Sequence, residues 1–341
     1  MNNTELSNNA SNISSSSPAW TLGPTSTAII TPLAIILNGY VLFIFLTNKS
    51  LHIPFNVYLG SLLFANLVYS ILCNPLDVIS ALYPTWPLSF AGCNVYIYAL
   101  LILGAVTINS HALITVNRLW AVTFPVSYRN HHSLRAAFAT VVALWIYVHV
   151  ICLPGVIRDS LYFRAPLSDN PCLVNVAAQF EWNLMMQFVA YDLPIVFVIV
   201  AYPYLLIKHK LKRRVKFIVA VPLGINATKP RRAWPTHSNS AQNRSTGSSG
   251  LRKKALSDDQ RRAFFITTLL TVSLCVCWVP NVAFFTVASF MQVDEPVLYG
   301  VLSFLFNLQS LLDPLFFAFV FKGLREALLA PLPKCSGFVL K

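Results

Sequence analysis

Apolar side chains run almost unbroken through residues 25–48, 55–77, 94–118, 136–157, 184–207, 263–292 and 297–321. Each window approaches the roughly 20 residues that a helix needs to cross a bilayer. Backbone groups in lipid must find partners within their own segment, so windows of this length predict helices and not barrel strands. The pattern predicts an all-α membrane protein, a seven-transmembrane helix bundle. Formal charges in the windows are Asp77 and Arg118 at ends, and Asp192 and Asp313 inside. The run from Asn94 to Asn117 carries no Asp, Glu, Lys or Arg, which makes Arg118 conspicuous at its close.

Composition supports the bilayer: 56% of the 341 residues are hydrophobic and 11% charged, against about 25% charged in soluble domains. A net charge of +13 would suggest nucleic acid in a soluble protein. Here the charge is local, with fifteen Lys or Arg and two Asp between Tyr202 and Ala263, and no soluble basic domain accompanies it. With the N-terminus outside, the inner side receives Lys49, Arg129, Arg135, the cluster from Lys208 to Lys216, and Arg252 to Lys254, as the positive-inside rule asks. The expected location is the plasma membrane, multi-pass, with the C-terminus cytoplasmic.

The stretches between windows set the organisation. Residues 1–24 form an Asn/Ser-rich tail on the outer side, without a cleavable leader, and hold sequons at Asn2, Asn9 and Asn12 as glycosylation candidates. Residues 25–321 form the bundle. Within it, 208–262 makes an inner loop whose Ser/Thr-rich, basic sequence predicts disorder, with ends suited to anionic lipid. Residues 322–341 give a short amphipathic eighth helix, from Phe321 to Leu329, and a tail with Cys335 as a palmitoylation candidate. Cys93 and Cys172 are the cysteines that fall in outer, oxidising segments.

A series of landmarks follows in chain order: Asn38 with Val41; Leu62-Leu-Phe-Ala-Asn-Leu67 with Pro75; Trp86, Cys93 and Arg118 with Pro125; Trp145; Pro194 with Tyr202; Cys277-Trp278-Val279-Pro280; and Asp313-Pro314-Leu315-Phe316-Phe317. One per helix and in order, they resemble the rhodopsin-like (class A) G-protein-coupled receptors over Thr25 to Leu329. The seventh window has no Lys for a retinal Schiff base, so an opsin is excluded.

The resemblance implies a receptor that passes an extracellular signal to a heterotrimeric G protein, and to arrestin through the third inner loop. Arg118 stands where the family has the arginine of D-R-Y, but Asn117 replaces the acid before it. Trp278 takes the place of the family's toggle, and Pro280 and Pro314 remove backbone bonds mid-helix and predict kinks. Tyr202 matches the fifth-helix tyrosine, while Phe317 replaces the tyrosine it would meet. Asn66 and Asp313 look exchanged relative to the family's acid and amide. Asn38, Asn66, Thr107, Ser310 and Asp313 are then the candidates to hold one sodium ion or a proton; no cofactor is required and no other metal site is suggested.

By the same resemblance the ligand pocket takes in Leu100, Leu101, Gly104, Met186, Gln187, Asn281, Phe285, Tyr299, Ser303 and Asn307. Amine receptors place an acid at the position of Leu100. The expected ligand is therefore a neutral, lipophilic small molecule or a peptide, whose cation Asp77 would anchor at the outer end of its helix, and not a biogenic amine. His111 and Asp192 read as satisfied polar groups on helix–helix faces. A disulfide between Cys93 and Cys172 is predicted. A membrane enzyme would need a cluster such as HExxH or paired carboxylates, which the chain lacks. The alternatives are a seven-helix transporter or channel, or a receptor-like protein with weak or constitutive coupling.

Overall fold

The computed structural model describes residues 18, 20–168, 170–220, 261–291, 295–321 and 324–326, without the side chains of 212–220 and 296. Seven of its helices are long and apolar enough to span a membrane. They are α1 (Leu22–Thr47), α2 (Pro54–Leu82), α3 (Phe90–Thr123), α4 (Leu134–Phe163), α5 (Ala177–Leu211), α6 (Arg261–Ala288) and α7 (Val297–Val320). A short helix, Pro125–His131, joins α3 to α4 at the Arg118 end of the bundle. The sequons at Asn2, Asn9 and Asn12, Cys335, and most of the third inner loop lie outside the described residues. The same holds for the eighth helix apart from residues 324–326.

Helix starts follow local chemistry. Ser89 and Ser133 cap α3 and α4, their hydroxyls accepting from Gly92 N and Ala136 N, each at 3.2 Å. Such caps satisfy donors that the first turn leaves orphaned. Pro54 opens α2, where a missing N–H costs nothing. Along α4, Phe138, Val142, Ile146 and Val150 recur every fourth residue and are exposed. That stripe has lipid as its solvent.

Helices α1 to α5 run longer than their apolar windows. Asp77 is therefore inside α2, five residues short of Leu82, and Arg118 lies more than a turn inside α3. The helix of α5 continues to Ala220, so residues 208–220, expected in a disordered loop, are helical.

Three helices carry widened π segments, at Ala99–Leu103 in α3, Asp159–Phe163 in α4 and Gln187–Asp192 in α5. Nothing in the apolar pattern marked them, because one extra residue in a turn leaves the run just as apolar. They have structural uses. Across the α3–α5 contact, the Tyr191 hydroxyl donates to Leu101 O at 2.5 Å. Of the two expected kinks, α6 is interrupted at Trp278, just before Pro280, whereas α7 runs through Pro314 as helix.

Side chains pack in three layers. The layer at the Arg118 end centres on Leu59, Leu62, Ile114, Ile266 and Phe317. The middle layer holds Ile102, Val106, Val198, Leu274 and Trp278. The opposite layer gathers Tyr69, Trp86, Tyr96 and Ile97 around Cys93–Cys172. That disulfide is formed, with Cα atoms 5.7 Å apart.

Candidate functional site

Polar groups interrupt these layers in three places. At the end away from the disulfide, Arg118 of α3 is held by neutral groups. Its Nη2 donates to Asn117 Oδ1 at 2.5 Å and to the Tyr128 hydroxyl at 2.9 Å. Its guanidinium carbon lies 3.8 Å from the centre of the Phe55 ring, a cation–π contact. Among the described residues the ion pairs are Asp159–Arg164 and His111–Asp313, so Arg118 has no carboxylate. Asp258 and Asp259, just before α6 in the chain, lie outside the described residues.

Asn117 works in both directions. Its Oδ1 accepts from Arg118 and, at 3.2 Å, from the Tyr128 hydroxyl, while its Nδ2 meets His132 Nε2 at 3.0 Å. An amide N–H can only donate, so His132 Nε2 is the acceptor and its proton sits on Nδ1. The Tyr58 hydroxyl lies 3.4 Å from the same nitrogen. His132 stacks on Tyr128 at 4.2 Å, and Trp120 stands edge-on to Tyr128 at 5.1 Å. Burial and the nearby Arg118 charge push the His132 pKa down to about 4. Burial pushes the Tyr128 phenol up against the opposing pull of Arg118. Both side chains therefore stay neutral at cytosolic pH.

Sequence reasoning missed Tyr128 and His132 as partners of Arg118. Their signal was there: Tyr128 lies in a short helix opened by Pro125, and His132 follows four residues on as its C-cap.

In the middle of the bundle, Asn66 and Asp313 meet, as the exchanged pair implied. Asn66 Nδ2 donates to Asp313 Oδ2 at 2.9 Å. Gln309, one turn earlier on α7, donates to Asp313 Oδ1 at 2.6 Å. His111 Nε2 lies 3.4 Å from Asp313 Oδ2. All four residues are essentially buried. His111 Nδ1 is buried without a partner among the described residues.

Of the remaining candidates, Thr107 Oγ1 reaches Asn66 Oδ1 at 3.4 Å. Asn38 Nδ2 bonds Ala34 O and Ser310 O, both at 2.8 Å. Ser310 Oγ donates to Asn307 O at 2.8 Å. The carboxylate thus faces three protein donors. As arranged, this set suits an anion and does not fit a sodium ion, which needs oxygen acceptors around it. Gln309 carried a readable signal in its i, i+4 spacing to Asp313; His111, on another helix, carried none.

Toward the disulfide end lie the remaining polar groups and the expected pocket residues. Gly104 faces the Tyr191 hydroxyl and Trp278, and Met186 packs in the middle layer. Trp278 stands edge-on to Phe306 at 4.5 Å, a neighbour that sequence reasoning did not name. Leu100 and Leu101 are half-buried, Ser303 accepts a bond from Asn307 through its carbonyl, and Phe285 and Tyr299 are exposed. Asn307 ties α7 to α1 through Thr27 Oγ1 at 2.8 Å, and Asn281 reaches Leu302 O at 3.3 Å. Gln187 bonds Asp192 Oδ1 at 3.3 Å and Thr286 Oγ1 at 3.2 Å. Asp192 is thereby satisfied by Gln187 and by Thr286, whose hydroxyl donates at 2.9 Å. Asp77 accepts from the Tyr96 hydroxyl at 2.9 Å and has no ion-pair partner among the described residues. Tyr202 is half-buried on α5, and Phe317 is fully buried beside Phe45.

The sequence profile of the 7 transmembrane receptor (rhodopsin family) matches residues 37–317. The chain is similar to the human (Homo sapiens) 5-hydroxytryptamine receptor 1D, 23% identical over 372 aligned positions that cover 97% of each chain. The guinea-pig (Cavia porcellus) 5-hydroxytryptamine receptor 1D is 22% identical over 332, covering 88% of this chain and 85% of the relative. For the mouse (Mus musculus) 5-hydroxytryptamine receptor 1D the figure is 27% over 175, about half of each chain.

Proposed function

Because the chain belongs to the seven-transmembrane receptor family of the rhodopsin type, we propose that it passes an extracellular ligand signal to a heterotrimeric G protein through its Arg118 end. The observation that carries this reading is the Arg118 site. A single cation closes a long uncharged run and is retained by Asn117, Tyr128 and Phe55. These bonds run from a cation to neutral acceptors; a carboxylate in place of Asn117 would add the attraction of an opposite charge. A latch without a carboxylate releases its arginine more readily, so the receptor signals measurably without ligand. That favours constitutive coupling over a silent resting state.

The N-terminus is outside and the basic loop inside, following the distribution of Lys and Arg. Arrestin engages the third inner loop. The ligand is a neutral small molecule or a peptide. Leu100 is apolar where an amine would need a counter-charge, and Asp77 offers a peptide cation a carboxylate that Tyr96 already hydrogen-bonds. The relatives' ligand, 5-hydroxytryptamine, is not carried across at 22–27% identity.

The test is nucleotide exchange on purified G proteins of each class, catalysed by membranes holding the full chain. Wild type should exceed empty membranes, and Arg118→Ala should lose that excess at equal expression. Equal exchange by both proteins would sink the receptor reading. A saturable, acid-sensitive response to 5-hydroxytryptamine lost in Asp77→Asn would overturn the ligand class alone.

A further inference from the structure

A crevice of about 560 Å³ opens on the membrane-facing side of α3 and α5 at the Arg118 end. Its walls are Val116 and Trp120 of α3 and Phe197, Val200 and Ala201 of α5. The volume falls in the usual range for ligand pockets, about 300–1,000 Å³. Yet this one faces lipid rather than the bundle interior: Val116 is 45% and Val200 68% exposed.

Its few polar groups sit at one end. Thr123 and Tyr204 contribute hydroxyls to the lining, and one turn on, Lys208 holds its ammonium 5.4 Å from the centre of the Tyr204 ring. The Trp120 indole N–H is turned away, toward Ser127 Oγ at 3.4 Å. An apolar trough capped by hydroxyls and a cation matches a long hydrocarbon chain that ends in an anionic head.

We propose that the crevice binds one anionic phospholipid of the inner leaflet, its acyl chain along Val200 and Trp120 and its phosphate at Lys208. The choice of leaflet rests on the orientation proposed above, since the cytoplasmic leaflet carries the anionic lipids. The position has a consequence for signalling. The chain would press on Trp120, which meets Tyr128 and His132 edge-on at 5.1 and 5.9 Å, and Tyr128 holds Arg118. A lipid here buttresses the latch from behind.

The test uses the full chain in nanodiscs, where both leaflets hold the same lipid, so its outcome depends neither on orientation nor on coupling. Brominated chains quench tryptophan on contact. The difference in quenching between wild type and Trp120→Phe isolates the crevice from the other six tryptophans. Phosphatidylserine should be favoured over phosphatidylcholine about fivefold, the effect of one basic side chain near an anionic headgroup. Lys208→Ala should bring the two lipids to parity, and Ala201→Phe, which fills the trough, should remove Trp120 quenching by both. Diazirine-tailed phosphatidylserine mapped by mass spectrometry covers the case in which the Trp120 or Ala201 variant fails to fold, with label expected on residues 197–204. Parity in wild type, a preference that survives Lys208→Ala, or label spread evenly over the exposed faces of α1 and α4 would each overturn the proposal.

Discussion

Replacing Asn117 with Asp should strengthen the arginine latch and lower ligand-free signalling. Asn117 Oδ1 already accepts from Arg118 at 2.5 Å and from Tyr128 at 3.2 Å, so the aspartate keeps both bonds and adds a charge to the first. The change exposes one conflict. The second carboxylate oxygen would face His132 Nε2, which now accepts from the amide at 3.0 Å. His132 resolves it by moving its proton from Nδ1 to Nε2, or by taking a second proton that the new carboxylate stabilises. The lost amide bond is thereby replaced, and the net gain is the step from a cation bonded to a neutral amide to a cation bonded to a carboxylate, about 1–2 kcal/mol. That is a factor of about 5–30 in a two-state ratio. Asn117→Ala, which removes the acceptor, should move the other way. The assay is G-protein dissociation by energy transfer in living cells, without ligand and at matched surface expression. The expected order of basal output is Ala variant above wild type above Asp variant. An Asp variant equal to or above wild type would refute the reasoning, and the Ala variant supplies the high-output reference.

Acid stability should report on His132. With a folded pKa of about 4 against an ordinary 6.5, its contribution is whole above about pH 6.5. It is lost as pH falls toward 4, because the unfolded imidazole takes a proton that the folded one refuses. His132→Gln keeps an acceptor but cannot titrate, so its Tm should fall less between pH 7 and pH 5 than that of wild type; parallel curves would discard the assignment. At the core, thermal-shift curves in sodium and in N-methyl-D-glucamine should coincide, because donors already surround Asp313. A sodium-specific rise in Tm that Asp313→Asn loses would return the cation to that site. Gly155→Ala should destabilise the α4–α5 contact, since a Cβ there would lie 1.8 Å from the Trp182 ring. Overpacking of this kind costs about 1–3 kcal/mol, and an unchanged Tm would show that Trp182 moves aside freely.

The chain's own pattern determined the seven helices, because span length and the absence of charge are properties of a segment alone. The exchanged pair was legible for a similar reason. Asn66 and Asp313 each stood out as polar groups in apolar windows, and burial of a polar group demands a partner. Cys93 and Cys172 could be matched because they stand in the outer segments. What lay beyond reach was set between helices. The packing of α3 against α7 set His111 within 3.4 Å of Asp313. The packing of the short inner helix placed Tyr128 and His132, residues of an ordinary-looking loop, around Arg118. The π segments shifted side chains by one position without altering composition, and the length of α2 carried Asp77 from a helix end into reach of Tyr96. Periodicity reports which face of a helix is apolar; it does not report which neighbour that face meets. In a bundle where lipid is as apolar as the core, that choice falls to side-chain packing and a few interhelical hydrogen bonds, and both exist only once the helices are assembled.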